Sequence, residues 1–253
     1  MLILGCDTSS IASGALIRVP DDAASGAPCA GPVEVLGAFR TEDTRSHAEV
    51  MAPGLRDLLA EAGAQGPELG MILTGLGPGP FTGLRAGIVT ARTLGWAWGV
   101  EVRGAVSLDA VAEAAHEDAR RAGHGLLRVA TDARRREVYC ADYEILPEGY
   151  RRVVGPAVGP AAAAGAVLYG EEAAAEESTG TSPLGPPAAG RGAALYPDAL
   201  VALPGHEADQ PLAEDLVRAA LRAGLAAAQT DTAPLYLRES DARVPAARKR
   251  ATR

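Results

Sequence analysis

The residues best suited to chemistry near the start of the chain are a carboxylate and hydroxyl groups that directly follow the first apolar run. Asp7, Thr8 and Ser9 come after residues 2–6, whose length and composition predict a buried strand. Asp132 follows a later predicted strand, residues 126–131, in the same way. Carboxylates and hydroxyls at such positions can hold a phosphate or its metal ion, and they also favour ordinary turns. The residues alone leave both roles open.

A glycine-rich loop is the second candidate for chemistry. Residues 75–80 read Gly-Leu-Gly-Pro-Gly-Pro between a predicted strand at 71–73 and a predicted helix at 82–98. Such a loop points backbone N–H groups at a helix N-terminus, where they favour an anion or a carbonyl group. Alternatively, the glycines let the helix pack closely against the sheet. A P-loop is excluded because its Gly-Lys-Ser/Thr sequence is absent, and the only lysine of the chain is Lys249.

Two predicted helices would flank these residues. Residues 47–62 carry one apolar stripe, and residues 82–98 combine apolar residues at helical spacing with small residues. Because the two helices are joined through one strand, we expect them on the same side of a sheet, where they could meet a like pair on a partner. Glutamate at Leu84 or Ile88 should then abolish partner binding and leave the fold intact. The predicted interface residues are Val50, Leu55, Leu58, Leu59, Leu84, Ile88 and Ala91.

Composition narrows the classes of function. The 253 residues include 32 acidic and 24 basic side chains, and the net charge of −8 argues against a protein that grips a nucleic-acid backbone by itself. The three cysteines are widely spaced and predict neither a disulfide framework nor a zinc ribbon. No signal-peptide features and no run of 18 apolar residues occur, so we expect a soluble, cytoplasmic protein with no membrane segment.

The histidines do not predict a metal site. Two histidines four residues apart on one helix would place both imidazoles on one face for a metal ion. The residue four positions after His47 is Met51. The other three histidines, His116, His124 and His206, are isolated in sequence.

Four segments of the chain resemble one family. Residues 75–85, GLGPGPFTGLR, are similar to the GxGPGxFTGLR signature of the TsaB family, accessory subunits of the bacterial tRNA threonylcarbamoyladenosine machinery. Residues 7–9 (DTS), 46–49 (SHAE) and 234–238 (PLYLR) agree with the family in the same order. Pro80 stands where the family usually has a small residue such as serine, which is a minor departure.

The resemblance implies an α/β fold of the two-lobed actin-like or Hsp70-type ATPase (ribonuclease H-like) class, degenerate in the second lobe. It implies an N-terminal, partner-binding lobe at 1–104 and a C-terminal lobe at 105–230, whose last helix we expect to pack back on the first. Residues 231–253 would form a C-terminal segment and basic tail. Glu172 follows a predicted strand at 167–170, where nucleotide-binding members of the wider fold prefer glycine, so an adenosine pocket in the second lobe is not expected.

The function that the resemblance implies is that of a non-catalytic subunit. It would bind a TsaD-type catalytic subunit as a heterodimer and contribute a surface, with no catalytic residue or metal site of its own. The partner would transfer a threonylcarbamoyl group to the adenosine next to the anticodon of tRNA, a TsaE-type ATPase would join the cycle, and tRNA would be bound only through the complex. Without the partner we expect a weak homodimer through Leu55, Leu58, Leu59, Leu84 and Ile88.

No cofactor is expected for this chain alone. The resemblance implies ATP or ADP at the junction with the partner, where Arg85, one turn into its helix, would be the natural phosphate contact. An intramolecular contact or exposure to solvent is the alternative role for Arg85. The junction candidates are Asp7, Thr8, Gly77, Gly79, Phe81, Thr82, Gly83 and Arg85.

Two other functions compete with the accessory subunit. Asp7, the glycine loop and Asp132 suit an independent ATPase or small-molecule kinase of the actin-like class, but the chain lacks a P-loop lysine and a clear catalytic base. A metallopeptidase is suggested only by kinship with proteins once described that way. The missing second histidine argues against it.

Overall fold

The computed structural model describes residues 1–20, 23, 26–29, 31–42, 47–170 and 185–238. Its strands are β1 (Leu2–Asp7), β2 (Ser13–Arg18), β3 (Glu34–Arg40), β4 (Leu69–Gly75), β5 (Val102–Ala105), β6 (Leu126–Asp132), β7 (Glu137–Leu146), β8 (Gly149–Pro160) and β9 (Ala188–Ala189). Its α-helices are α1 (His47–Glu61), α2 (Phe81–Trp98), α3 (Leu108–Arg121), α4 (Ala164–Tyr169), α5 (Arg191–Leu195) and α6 (Ala213–Ala223). No helix in these ranges is long and apolar enough to cross a membrane.

The first sheet has the strand order β3-β2-β1-β4-β5. Strand β2 runs antiparallel to both β3 and β1, whereas β1, β4 and β5 run parallel to one another. Cys6 pairs with Thr74 in this register, so Asp7 and Gly75 end neighbouring parallel strands. The carboxyl ends of β1 and β4 therefore carry the two segments that the sequence marks as candidates for chemistry.

The second sheet has the order β8-β7-β6-β9. Strands β6, β7 and β8 form an antiparallel meander, and the short β9 pairs with β6 in parallel. Two mixed sheets flanked by helices confirm the predicted α/β fold class. The division of the chain at residue 104 stays a prediction.

Helices cover both faces of the first sheet. Helices α1 and α2 bury Met51, Leu55 and Ala91 against one face, and α6 buries Val217 and other apolar side chains against the opposite face. A Cβ atom at Gly5 of β1 would lie 2.8 Å from the Val217 side chain, so glycine lets α6 approach the strand closely. Helix α6 also packs on α3, which covers the second sheet.

Several sequence predictions differ from the structure in the second half of the chain. Residues 167–170 were expected to be a strand, but they belong to or follow α4, because the run of alanines before Val167 favours a helix. The twelve-residue strand β8 was not predicted, since its exposed face and its glycines and prolines mask the alternation of a strand. The apolar stripe of residues 212–229 predicts one helix, but α6 ends earlier, at Ala223, and Gly224 after it has a φ of +89°. Glu172, Ser46 and residues 239–253 lie outside the described residues.

Candidate functional site

The four family-like segments meet at the carboxyl end of the first sheet. The Thr8 hydroxyl donates a hydrogen bond to the Gly83 carbonyl at 2.7 Å and accepts one from the Gly87 N–H at 3.1 Å, so the turn after β1 is fixed to α2. His47, which begins α1, has its Nε2 atom 3.0 Å from the Ser10 carbonyl oxygen. The Leu235 N–H donates to the Leu76 carbonyl at 2.8 Å. Segments far apart in sequence thus form one connected cluster.

Asp7 is the centre of a buried hydrogen-bond network. Its Oδ1 atom accepts from the Ser9 N–H at 2.7 Å and from the Ser9 hydroxyl at 2.6 Å, and its Oδ2 atom accepts from the Ser107 hydroxyl at 2.5 Å. Burial raises the pKa of Asp7 above its ordinary value of 3.8, while the hydrogen bonds from Ser107 and Ser9 act in the opposite direction. Both carboxylate oxygens therefore accept hydrogen bonds that connect the end of β1 to Ser9 and to Ser107.

Ser107 has a different role from the helix cap that its position before α3 predicts. It makes no side-chain cap hydrogen bond to α3. Its hydroxyl donates to Asp7 and accepts from the Gly77 N–H at 3.0 Å, and its own N–H donates to the Gly77 carbonyl at 2.8 Å. The tertiary contact with Asp7 replaces the local cap and fixes the start of the glycine loop.

The glycines of the loop are required by close packing. A Cβ atom at Gly75 would lie 1.7 Å from Asp7 Oδ2, one at Gly79 would lie 2.4 Å from the Ser9 carbonyl oxygen, and one at Gly83 would lie 2.7 Å from the Thr8 carbonyl oxygen. At Gly77 the backbone φ of +95° also favours glycine. The loop is thus packed directly against the turn after β1. Close packing is one of the two roles that the sequence allowed for these glycines, the other being anion binding.

A C-terminal strap, which we define as residues 229–238, lies across the loop. It begins where Gln229 exchanges backbone hydrogen bonds with Gly104, at 2.8 Å each. The Tyr236 ring packs on the Phe81 ring with 4.6 Å between centroids, and the Tyr236 hydroxyl accepts a 2.8 Å hydrogen bond from Arg85 Nε. Arg238 forms an ion pair with Glu137 of β7. The strap therefore joins the glycine loop to the second sheet.

Arg85 is held by aromatic side chains of its own chain. Its guanidinium carbon lies 5.9 Å from the centroid of the Phe81 ring and 5.6 Å from that of the Tyr236 ring, within the range of cation–π attraction. The residue is exposed, as is Thr82, whereas Phe81 is half-buried. An intramolecular contact, the second role considered for Arg85, is thus present in the structure.

The apolar residues assigned to the partner interface face inward, which differs from their predicted place on the surface. Leu55, Leu58 and Leu59 pack in the core beneath α1, and Ala91 packs there from α2. Leu84 and Ile88 are 0% and 2% exposed and pack with Leu76 under the glycine loop. Only Val50 is half-buried. The physical reason is that the first sheet needs an apolar cover, and the apolar stripes of both helices supply it.

Asp132 supports a tight turn in the second sheet. Its Oδ1 atom accepts from the Arg134 N–H at 2.8 Å, and its Oδ2 atom lies 3.1 Å from the Arg134 guanidinium. Arg134, Arg135 and Arg136 all have positive φ angles, of 63°, 57° and 64°. The carboxylate that follows β6 therefore stabilises an uncommon backbone conformation in the β6–β7 hairpin.

His206 forms a clamp between two acidic side chains. Its Nδ1 atom lies 2.7 Å from Asp209 Oδ2 and its Nε2 atom lies 2.9 Å from Asp118 Oδ2, so the ring donates to both when it is protonated. Burial would lower the pKa of His206, but the hydrogen bonds to Asp118 and Asp209 prevail and raise it above its ordinary value of 6.5. In the described ranges no three His, Cys, Asp or Glu side chains are grouped to hold a metal ion.

The clamp predicts a stability that depends on pH. A raised folded-state pKa means that protonated His206 stabilises the fold fully below its ordinary value of 6.5, and that this contribution is lost as the pH rises through the folded-state value. Urea unfolding of the native protein and of His206→Gln should therefore differ most near pH ~6 and least near pH ~9. A difference that stays constant over this range would contradict the clamp. Arg121 lies 2.9 Å from Asp118 and therefore shares this carboxylate with His206.

Comparison with known proteins decides the family. A sequence model of the family described as TsaD, tRNA N6-adenosine threonylcarbamoyltransferase, matches residues 35–245. The chain belongs to this family. Within it the chain is of the TsaB type, since the Bacillus subtilis protein named tRNA threonylcarbamoyladenosine biosynthesis protein TsaB is 30% identical over 57% of this chain and 56% of its own length. This confirms the resemblance drawn from the four segments.

Other relatives cover more of the chain. A Mycobacterium tuberculosis protein described as uncharacterized is 39% identical over 88% of this chain and 92% of its own length. The structure of YeaZ from Pseudomonas aeruginosa superposes with a TM-score of 0.66 and 27% identity, covering 93% of this chain and 99% of YeaZ. Another Pseudomonas aeruginosa structure, described as similar to peptidase YeaZ, gives a TM-score of 0.67. The two-lobed fold is therefore shared along nearly the whole of both chains.

Sequence reasoning missed the contacts between distant segments. The signal for the strap was present as the tyrosine and the arginine of residues 234–238, but no spacing along the chain indicates that Tyr236 stacks on Phe81. The contact joins residues that lie 155 positions apart by their numbers. The same holds for Ser107, whose hydroxyl reaches Asp7 across 100 positions.

Proposed function

We propose that this chain is a non-catalytic subunit that binds a TsaD-type catalytic subunit and supports transfer of a threonylcarbamoyl group to the adenosine next to the anticodon of tRNA. The Bacillus subtilis and Escherichia coli relatives are both called tRNA threonylcarbamoyladenosine biosynthesis protein TsaB, which supports a role in this tRNA modification. The matching family model is described as a tRNA N6-adenosine threonylcarbamoyltransferase, which supports a TsaD-type catalytic subunit as the partner. The exposed outer face of α2 supports binding of that partner through a surface of this chain.

A structural role for the candidate residues supports the absence of catalysis. The two oxygens of Asp7 accept three hydrogen bonds from Ser9 and Ser107, which leaves its carboxylate little capacity for a metal ion or a nucleophile. The Leu76 and Gly77 N–H groups of the glycine loop donate within the chain, to Ala105 and Ser107. Met51, four residues after His47, is fully buried in the core. These contacts support the proposal that the residues maintain the shape of a surface.

The main support for a partner-binding surface on α2 is the exposure of Trp96. Its side chain is 87% exposed, and Val89, two turns earlier on the same helix, is 58% exposed. Thr82, Arg85, Val89, Thr93 and Trp96 are all exposed and recur at helical spacing, so they share the outer face of α2. Exposed apolar patches mark interaction surfaces, and tryptophan is enriched among the residues that contribute most to binding at interfaces. We therefore propose the outer face of α2, in place of its buried stripe, as the contact.

Substituting Trp96 by glutamate tests this surface. Affinity for the TsaD-type protein, measured by isothermal titration calorimetry, should fall by about 30-fold or more, which is the loss typical of a central interface tryptophan. Val153→Glu is the matched control, because Val153 is a 44% exposed apolar residue on β8, which belongs to the second sheet. Equal affinity of the two variants for the partner would contradict the proposed contact.

Three finer elements belong to the same proposal. A TsaE-type ATPase would join the complex, ATP or ADP would lie at the junction near Arg85, and the free chain would self-associate weakly. The cation–π contacts of Arg85 bear on the second element, since a phosphate would have to compete with Phe81 and Tyr236. Arg85→Ala should therefore weaken nucleotide binding by the assembled complex if the phosphate contact forms.

A further inference from the structure

Two arginines of α2 are attached to the C-terminal strap in the same way. The Nε atom of Arg85 donates to the Tyr236 hydroxyl at 2.8 Å, and the Nε atom of Arg92 donates to the Thr232 hydroxyl at 2.6 Å. Both arginines are exposed. In the part of the chain that the structure describes, neither has another hydrogen-bond or ion-pair partner. Each guanidinium group is therefore fixed through Nε and keeps the donors of its two terminal nitrogens available.

The hydroxyl groups that hold the arginines are themselves fixed. Thr232 is buried, and the Tyr236 ring packs on the Phe81 ring. Asp231 is the only acidic residue of the strap; its Oδ1 atom accepts from the Ala233 N–H at 3.0 Å, and among the described residues it forms no ion pair. The side-chain freedom that an interface arginine usually loses on binding is therefore already restricted in the free protein.

The two arginines alternate with exposed apolar residues along α2. Arg85, Val89, Arg92 and Trp96 are all exposed, and their positions follow the 4-3-4 spacing of a coiled-coil seam. Arg85 and Arg92 therefore share one face of the helix and lie about 10.5 Å apart along its axis. Helix α2 contains no acidic residue, although the chain as a whole has a net charge of −8. The outer face of α2 is thus a stripe in which two cations alternate with two apolar side chains.

From these observations we propose that the stripe binds a helix of the TsaD-type partner on which two carboxylate side chains, about two turns apart, pair with Arg85 and Arg92. The strap positions both guanidinium groups for these pairs. The inference rests on the proposed function and names the chemistry of the partner's surface. Arginine forks match carboxylates in geometry and charge. Val89 and Trp96 would face apolar residues of the same partner helix, whereas a phosphate backbone would leave them without a counterpart.

The first test removes the two charges. The full chain carrying Arg85→Gln and Arg92→Gln should bind the TsaD-type protein about 30-fold more weakly in isothermal titration calorimetry at low salt. Its affinity should also depend less on salt than that of the unaltered chain. Arg120→Gln combined with Arg151→Gln is the matched control, because both are exposed arginines paired with glutamates, on α3 and β8. Equal affinities of the two double variants would overturn the inference.

The second test separates the positioning role of the strap from a merely structural one. Tyr236→Phe keeps the aromatic ring and removes only the hydroxyl, so the affinity for the partner should fall by about threefold, the effect of releasing one ordered side chain. Tyr196→Phe, at a half-buried tyrosine after α5, is the control and should leave the affinity unchanged. In an Arg85→Gln chain, Tyr236→Phe should cause no further loss. An equal loss with and without Arg85 would show that Tyr236 does not act through this arginine.

Two further results distinguish this inference from the proposed function. If the arginine variants bind the partner normally but the assembled complex loses affinity for ATP or for tRNA, the two guanidinium groups bind phosphate and the inference is wrong. The proposed function would stand in that case. Failure of the unaltered chain to bind the TsaD-type protein at all would overturn the proposed function itself.

Discussion

Glutamate in place of Leu84 is expected to unfold the first lobe. Leu84 is fully buried and packs with Leu76 and Ile88, so the substitution places a carboxylate in an apolar cluster with no partner for its charge. Such a change lowers the free energy of unfolding by about 4 kcal/mol or more. Urea unfolding followed by circular dichroism would measure this loss, and much of the variant should be insoluble on expression. This result would replace the expectation from sequence that the variant folds and only fails to bind.

The matched control for Leu84→Glu is Val89→Glu on the same helix. Val89 is 58% exposed, so its glutamate stays in water and should change the free energy of unfolding by no more than about 0.5 kcal/mol. The two variants separate the inner face of α2 from its outer face. If Leu84→Glu unfolds at the same urea concentration as the unaltered protein but does not bind the TsaD-type partner, this prediction is wrong. Leu84 would then be an interface residue.

Alanine in place of Gly75 is expected to disrupt the junction of β1, β4 and the loop. The added Cβ atom would lie 1.7 Å from Asp7 Oδ2 and 2.7 Å from the Ser107 hydroxyl oxygen, and both groups are fully buried. Because this network cannot move into free space, the cost should reach or exceed about 3 kcal/mol in the free energy of unfolding, the upper part of the range for overpacking. The glycine loop should also become more accessible to hydrogen exchange.

Two further variants make the Gly75 prediction specific. Gly125→Ala is the control, because no atom lies within 4 Å of its added Cβ and its φ is not in the left-handed region. Its free energy of unfolding should stay within about 0.5 kcal/mol of the native value. Asp7→Ala combined with Gly75→Ala removes the nearest clash, so the double variant should lose less than the sum of the single losses. Additive losses would show that Asp7 is not what excludes a side chain at position 75.

Local patterns predicted the first lobe well because its elements have strong periodic signals. The apolar run before Asp7 and the stripe of Met51, Leu55 and Leu58 correspond to β1 and to the buried face of α1. The direction of that stripe was wrong, however. Periodicity shows that a helix has an apolar face, but it does not show whether a sheet of the same chain or a partner covers that face.

The candidate site could be predicted as a set of segments but not as a geometry. The glycines of the loop indicated that other atoms pack closely against the backbone. The structure identifies these atoms, such as Asp7 Oδ2 at Gly75. The contact of Tyr236 with Arg85 depends on how α6 and the strap return to the first lobe, which no local pattern encodes. The left-handed arginine turn was equally hidden, because arginine has no intrinsic preference for that conformation.

Omission of this chain from a reconstituted modification reaction tests the account most directly. The reaction contains the TsaD-type and TsaE-type proteins, the enzyme that makes the threonylcarbamoyl adenylate, tRNA, threonine, bicarbonate and ATP. Modified adenosine is measured by mass spectrometry with and without the chain, beside ATP turnover by the chain alone. The account predicts that modification requires the chain and that the chain alone turns over no ATP. Modification without the chain, or ATP turnover by the isolated chain, would contradict an accessory role and favour an independent actin-like ATPase or kinase.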